Sequence, residues 1–121
     1  MFGPDVTFLG VERCDLEDAA QLKGADAVII GAPYDAGASY RGGARFGPKM
    51  IRTTDYLPHD SSRPHLALRV DPLKDLRVLD AGDVEMPGVE APCQELAGRI
   101  EQIGAHGKCP FNVAAEILRL R

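Results

Sequence analysis

Four carboxylates, Asp35, Asp80, Asp83 and Glu85, sit beside glycines in two short segments, GAPYDAG (31–37) and DAGDVE (80–85). Oxygen ligands of this kind suit hard cations, and Asp80 and Asp83 with Glu85 are spaced to line a metal site at the end of a strand. A transition-metal hydrolase calls for imidazole as well. The three histidines, His59, His65 and His106, fall outside any i, i+4 helical pair and outside D-x-H or H-E-x-x-H. They read as solvated surface residues. Nucleophilic catalysis has no better footing: G-x-S-x-G is absent, and Cys14, Cys93 and Cys109 have no neighbouring base in the sequence.

The longest informative stretch is GAPYDAGASYRGGARFGPKMIR, from Gly31 to Arg52. Its glycines match neither G-x-G-x-x-G nor G-x-x-x-x-G-K-[ST]. The helix start at Pro48 comes too late for a tight strand–loop–helix grip on phosphate. The glycines instead suit a long folded loop that needs positive φ and close backbone approach. Arg41, Arg45, Lys49 and Arg52 are its cations. Lys49 suits the surface. Among glycines, Arg41 and Arg45 can fork onto carboxylates or loop carbonyls, holding the loop in shape or bridging subunits. Tyr40, Arg41 and Arg45 are the candidates for residues facing a site walled by this loop.

Two strands must position these loops. DAVIIG (26–31) is a continuous apolar run, as in a parallel sheet covered on both faces. LRVLD (76–80) is the second, and both run into Gly/Asp turns. VTFLG near the start reads as a strand or an extended arm. CDLEDAAQLKGA (14–25) suits a short helix or turn, with Leu16, Ala19, Ala20 and Leu22 as its apolar positions. FGPKMIRTTDYL (46–57) opens a helix at Pro48, with Met50, Ile51 and Leu57 as its buried side. Residues 58–75, with three prolines, read as a surface excursion. Residues 90–107 predict an amphipathic helix with Leu96, Ile100 and Ile103 on one face, weakened at Gly98. FNVAAEILRLR (111–121) predicts a second helix, on Val113, Ile117 and Leu120. Strands alternating with helices imply an α/β fold with a parallel sheet, which binds ligands at the carboxyl ends of its strands.

The 121 residues suffice for one domain, and 45% hydrophobic composition supports a core. A net charge of −4 argues against nucleic acid as a partner. No segment approaches the ~20 apolar residues of a membrane helix, and no signal peptide is visible at the N-terminus. Three cysteines without metal-like spacing fit a reduced, cytoplasmic protein.

The Gly31–Arg52 stretch closely resembles the N-terminal signature of the ureohydrolase (arginase/agmatinase) family, in its agmatinase branch. There a strand ends in G-x-P-x-D-x-G and runs into R-x-G-A-R-F-G-P-x-x-I-R. VLDAGDVEMPG (78–88) resembles the family's next block, and the helix from Glu90 to Ala105 resembles the one leading to its first metal strand. The resemblance covers roughly residues 7–105. Gly42 departs from it, standing where the family usually has proline. It implies a three-layer α/β/α parallel-sheet fold and hydrolysis of a small guanidino compound to urea and an amine by hydroxide bridging two manganese ions. Agmatine is the first substrate to name, with guanidinobutyrate and related guanidino acids as alternatives.

The family's metal ligands lie in G-G-D-H, D-A-H-x-D and D-x-D blocks, and none of these occurs in the sequence. Asp80–Ala81–Gly82–Asp83 mimics D-A-H-x-D without its histidine. The expectation is therefore a single partial domain, 1–121, with a family-like part to residue 105 and a divergent or C-terminal-helix-like tail over 106–121. A truncated piece of the fold is expected to have no catalytic residue, no metal ligand and no bound manganese, and to be inactive alone. Its expected partners are a second copy of itself or a full-length ureohydrolase. A non-catalytic module or a pseudogene product is the alternative reading.

Overall fold

The computed structural model describes residues 7–54, 67–85 and 92–114. A 3-10 turn at Phe8–Gly10 leads into β1 (Glu12–Arg13) and the one-turn helix α1 (Ala19–Leu22). The chain continues through β2 (Ala27–Ala32), a 3-10 turn at Ala44–Phe46 and helix α2 (Gly47–Thr53). It resumes with α3 (Pro72–Asp75), β3 (Val78–Asp83), α4 (Pro92–Ala105) and β4 (Cys109–Ala114). The four strands form one sheet in the order β1-β3-β2-β4, and every pairing is parallel. The expected parallel-sheet α/β fold is therefore present.

β2 is central because it is apolar on both faces. Val28, Ile30 and Ala32 join one buried cluster with Leu79, Leu96 and Ile103, while Ile29 alternates to the opposite face and is also buried. Leu96 and Ile103 of α4 are fully buried and Ile100 packs against the cluster, so the i, i+4, i+7 face meets the sheet as expected. Burial of each such side chain contributes about 1.5–3 kcal/mol. Leu16, Leu22 and Ala25 close the cluster. Asp18 caps α1, its carboxylate accepting the Ala20 N–H at 3.0 Å. Ala19 and Ala20 are exposed, because a single turn has only one inward position and Leu22 fills it.

Two expectations fail here. Residues 111–114, read as the start of a helix, are not helical; they belong to β4, paired with β2 from Ala27–Cys109 to Ala32–Ala114. Single-sequence periodicity cannot separate a short apolar strand from a helix, and the open edge of β2 decides it. The remainder of the expected helix, 115–121, lies outside the described residues. The buried side expected for α2 is also wrong. Met50 and Ile51 are 59% and 42% exposed, whereas Pro48 is buried, and Leu57 lies outside the described residues. A helix of seven residues held by Pro48 and Arg52 turns its aliphatic residues outward. The segment read as a strand or arm near the start is the 3-10 turn followed by the two-residue β1. Of the surface excursion, 58–66 lies outside the described residues, and Leu68 and Val70 are exposed.

Candidate functional site

The carboxyl ends of β2 and β3 are joined by a bulge. Ile29 pairs with Asp80 and Gly31 with Asp83, so one residue of β2 faces two of β3. Gly82 sits in the bulge with φ +77°, a left-handed value that suits glycine. In a regular strand, residues 80 and 83 would point to opposite faces. The bulge instead brings both carboxylates onto one guanidinium. Arg52 Nε and Nη2 donate to Asp80 Oδ2 and Oδ1 at 2.8 and 3.0 Å. Its Nη1 donates to Asp83 Oδ1, and its Nη2 also reaches the Gly82 carbonyl at 3.1 Å. Asp80 further accepts the N–H groups of Phe8 and Gly82, both at 2.8 Å.

The Asp80 side chain is 1% exposed and the Arg52 side chain 8%. Burial by itself would raise the Asp80 carboxyl, but the Arg52 fork and the two N–H groups outweigh it and hold it below the usual carboxylate range. For Arg52, burial works against the charge, and the bonds to Asp80 and Asp83 reverse that, so its pKa is raised. Gly31 makes room for the clasp: a Cβ there would lie 2.0 Å from Asp83 Oδ1 and 3.1 Å from Arg52 Nη1.

A second clasp folds the glycine-rich loop. Asp35 Oδ2 accepts the Gly43 N–H at 2.7 Å and Arg45 Nη1 at 2.8 Å. The Gly43 N–H, with Arg45 second, holds Asp35 below its ordinary value. Arg45 thus shapes the loop, the role anticipated for it, and its guanidinium lies 4.4 Å from the Phe46 ring centroid. Tyr40 and Arg41 form the loop tip, with Arg41 5.2 Å over the Tyr40 ring. Within this chain none of the three faces inward: Tyr40 is 86% exposed, and Arg41 and Arg45 are exposed too.

Beside the clasp, a cleft of about 890 Å³ opens between the residues after β1, the end of β3 and α4. Arg99 of α4 spans its rim, bonded to Glu17 and to Glu95, while Gln102 donates to the Leu16 carbonyl at 2.6 Å. Glu85 and Asp83 line it, as does Cys14. The Cys14 thiol is pushed up to about 11, first by burial and then by Asp80, Asp15 and Glu12. All three cysteines are free. His106 is exposed in the turn after α4, and His59 and His65 lie outside the described residues.

A metal site on Asp80, Asp83 and Glu85, which their spacing suggests, does not fit this geometry. Both Asp80 oxygens and one of Asp83 are taken by Arg52, whose positive charge stands where a cation would have to sit. Among the described residues no group of three or more His, Cys, Asp or Glu could hold an ion. In the sequence Arg52 stands among the loop cations, and nothing local marks Asp80 and Asp83 as its partners. The three residues were legible; the bulge that joins them was not.

Among the described residues, no helix is long and apolar enough to cross a membrane. Comparison with known proteins places this geometry in a family. The model of the arginase family matches residues 25–114. Over 39 residues the chain is 62% identical to the proclavaminate amidinohydrolase of Streptomyces clavuligerus, covering 32% of this chain and 12% of that protein. Over 96 residues it is 32% identical to the mitochondrial agmatinase of Gallus gallus, covering 78% and 27%. The fold matches Trypanosoma cruzi formiminoglutamase, solved with Mn2+, at a TM-score of 0.62 and 29% identity, over 85% of this chain and 36% of that one. The chain thus spans about a third or less of the length of these proteins. With its parallel sheet and a family match over most of its length, the chain belongs to the arginase family.

Proposed function

We propose that this chain carries the loop-bearing first strands of an agmatinase-like ureohydrolase, a scaffold for cleaving a small guanidino compound to urea and an amine, and that by itself it is catalytically inactive. Family membership supports the reaction class. The similarity to a curated agmatinase supports agmatine as the first substrate to try, with guanidino acids next. The chemistry of the whole family site, water activation between two manganese ions, would need donors other than those described above. Tyr40, Arg41 and Arg45 are the loop residues proposed for the substrate side, supported by their place after the carboxyl end of β2. Three free cysteines support a cytoplasmic setting.

The observation that carries inactivity is that the sequence holds none of the G-G-D-H, D-A-H-x-D and D-x-D blocks, while the neighbouring carboxylates Asp80 and Asp83 are engaged by Arg52. A second fact agrees with it. The stretch at the expected position of the first metal block, KCPFNVAAEILRLR from Lys108 to Arg121, contains no histidine. Urea release from agmatine and from guanidinobutyrate, assayed with the purified chain and added manganese, is expected to stay at the no-enzyme rate. Turnover that survives repurification and disappears with chelator would overturn the reading.

A further inference from the structure

We propose that residues 15–18 form a strap along the cleft, latched shut from α4 by Arg99 and Gln102, and that its release opens the cleft locally and uncovers the Cys14 thiol while the sheet stays folded. The strap runs between two fixed points. At one end the Cys14 N–H donates to the Asp80 carbonyl at 3.0 Å, continuing the ladder of β1 on β3. At the other, Leu22 of α1 is fully buried. Between them the segment is braced on itself and on α1. Gln21 Oε1 accepts the Asp15 N–H at 2.8 Å, Asp15 Oδ1 accepts the Glu17 N–H at 3.0 Å, and the Asp15 carbonyl accepts the Asp18 N–H at 3.2 Å. Such a unit can lift without breaking its own hydrogen bonds.

Its ties to α4 are weaker. Glu17 pairs with Arg99, and the Leu16 carbonyl accepts Gln102 Nε2 at 2.6 Å. The Arg99 and Glu17 side chains are 33% and 71% exposed, so solvent screens the pair. Arg99 also bonds Glu95, so one guanidinium stands between a carboxylate of the strap and one of the helix. Asp15, Asp83 and Glu85 line the same cleft. Without Arg99 its facing walls would carry like charge, which favours their separation. Leu16 is the strap's apolar anchor, buried in the same cluster as Cys14. Both residues already line the cleft of about 890 Å³, so lifting the strap widens an existing opening instead of breaking into a closed core. Segments held by few buried contacts and by exposed hydrogen bonds open at a free energy below that of global unfolding. Cys14, 5% exposed at the base of the strap, reports that opening, because a reagent must reach its sulfur.

Mass-mapped iodoacetamide labelling of Cys14 in the full 121-residue chain, read beside amide hydrogen exchange, tests this. When the strap recloses faster than the reagent reacts, the labelling rate follows the open population. In the native chain Cys14 is expected to be labelled through an opening more frequent than the one that exposes the Val28 and Ile30 amides of β2. Arg99→Glu should speed Cys14 labelling roughly threefold to tenfold, the effect of losing an exposed pair and adding a like charge. Cys109 labelling and β2 exchange should not move. Gln102→Leu should act in the same direction as Arg99→Glu. Exchanging both charges, Arg99→Glu with Glu17→Arg, should return the slow rate. Cys14 labelling that tracks β2 exchange in the native chain overturns the proposal, since the thiol is then reached by global unfolding. So does a Cys14 rate indifferent to Arg99→Glu, or one that the charge exchange leaves fast.

Discussion

Replacing Arg52 with methionine isolates the clasp. The substitution keeps a long apolar stem but strips Asp80 of its counter-charge, leaving a carboxylate that is 1% exposed with only the Phe8 and Gly82 N–H groups. Removing one partner of a buried ion pair costs about 3–5 kcal/mol, because the surviving charge is desolvated without compensation. In a domain whose total stability is about 5–15 kcal/mol, that is a large share, and the melting temperature should fall by roughly 10–20 °C. Circular dichroism in urea and on heating would measure it. The pH profile adds a signature that packing loss cannot imitate. In the native protein the Asp80 pKa is depressed. Its contribution is therefore complete above the unfolded value of about 3.9 and is lost as pH falls through the folded value. In Arg52→Met burial dominates and raises the Asp80 pKa, so the sign reverses: the variant should gain stability as pH falls from 7 toward 5, while the native chain does not. Adding Asp80→Leu to Arg52→Met should recover part of the loss, since an apolar pair of similar volume needs no charge compensation. A cost below about 1 kcal/mol, the size of an exposed pair, or parallel pH profiles for the two proteins, would refute the argument.

Two further outcomes follow from the same geometry. Gly31→Ala places a methyl group 2.0 Å from Asp83 Oδ1, so it should destabilise the chain by about 1–3 kcal/mol in urea titration, and an unchanged midpoint would mean that the strand ends shift freely. Cys14 is buried, with its thiol pushed up to about 11, whereas Cys109 is exposed; at pH 8 iodoacetamide should alkylate Cys109 at least roughly tenfold faster, because burial both shields the Cys14 sulfur and suppresses its thiolate, and mass-mapped labelling at equal rates would contradict the buried placement.

What could be read from the sequence was whatever depends on local pattern. The run 26–31 is apolar at every position from Ala27 to Ile30, so it had to be covered on both faces, and it became the central strand. Leu96, Ile100 and Ile103 recur at the helical period and bury one face of α4. Glycines around Arg45 announced a folded loop, and a carboxylate ten residues away was the partner its guanidinium found. The segment 111–114 is a strand although the apolar spacing of 111–121 satisfies a helix, and only the unpaired edge of β2 chose between them. Met50 and Ile51 were misread because hydrophobicity marks what can be buried, not what a seven-residue helix has room to bury. The candidate site divides along the same line. Its residues, Asp80, Asp83 and Arg52, are plain in the chain, but 28 positions separate Arg52 from Asp80. The tertiary structure alone decided that a bulge at Gly82 turns both carboxylates to one side, and that a guanidinium, not a metal, neutralises them there.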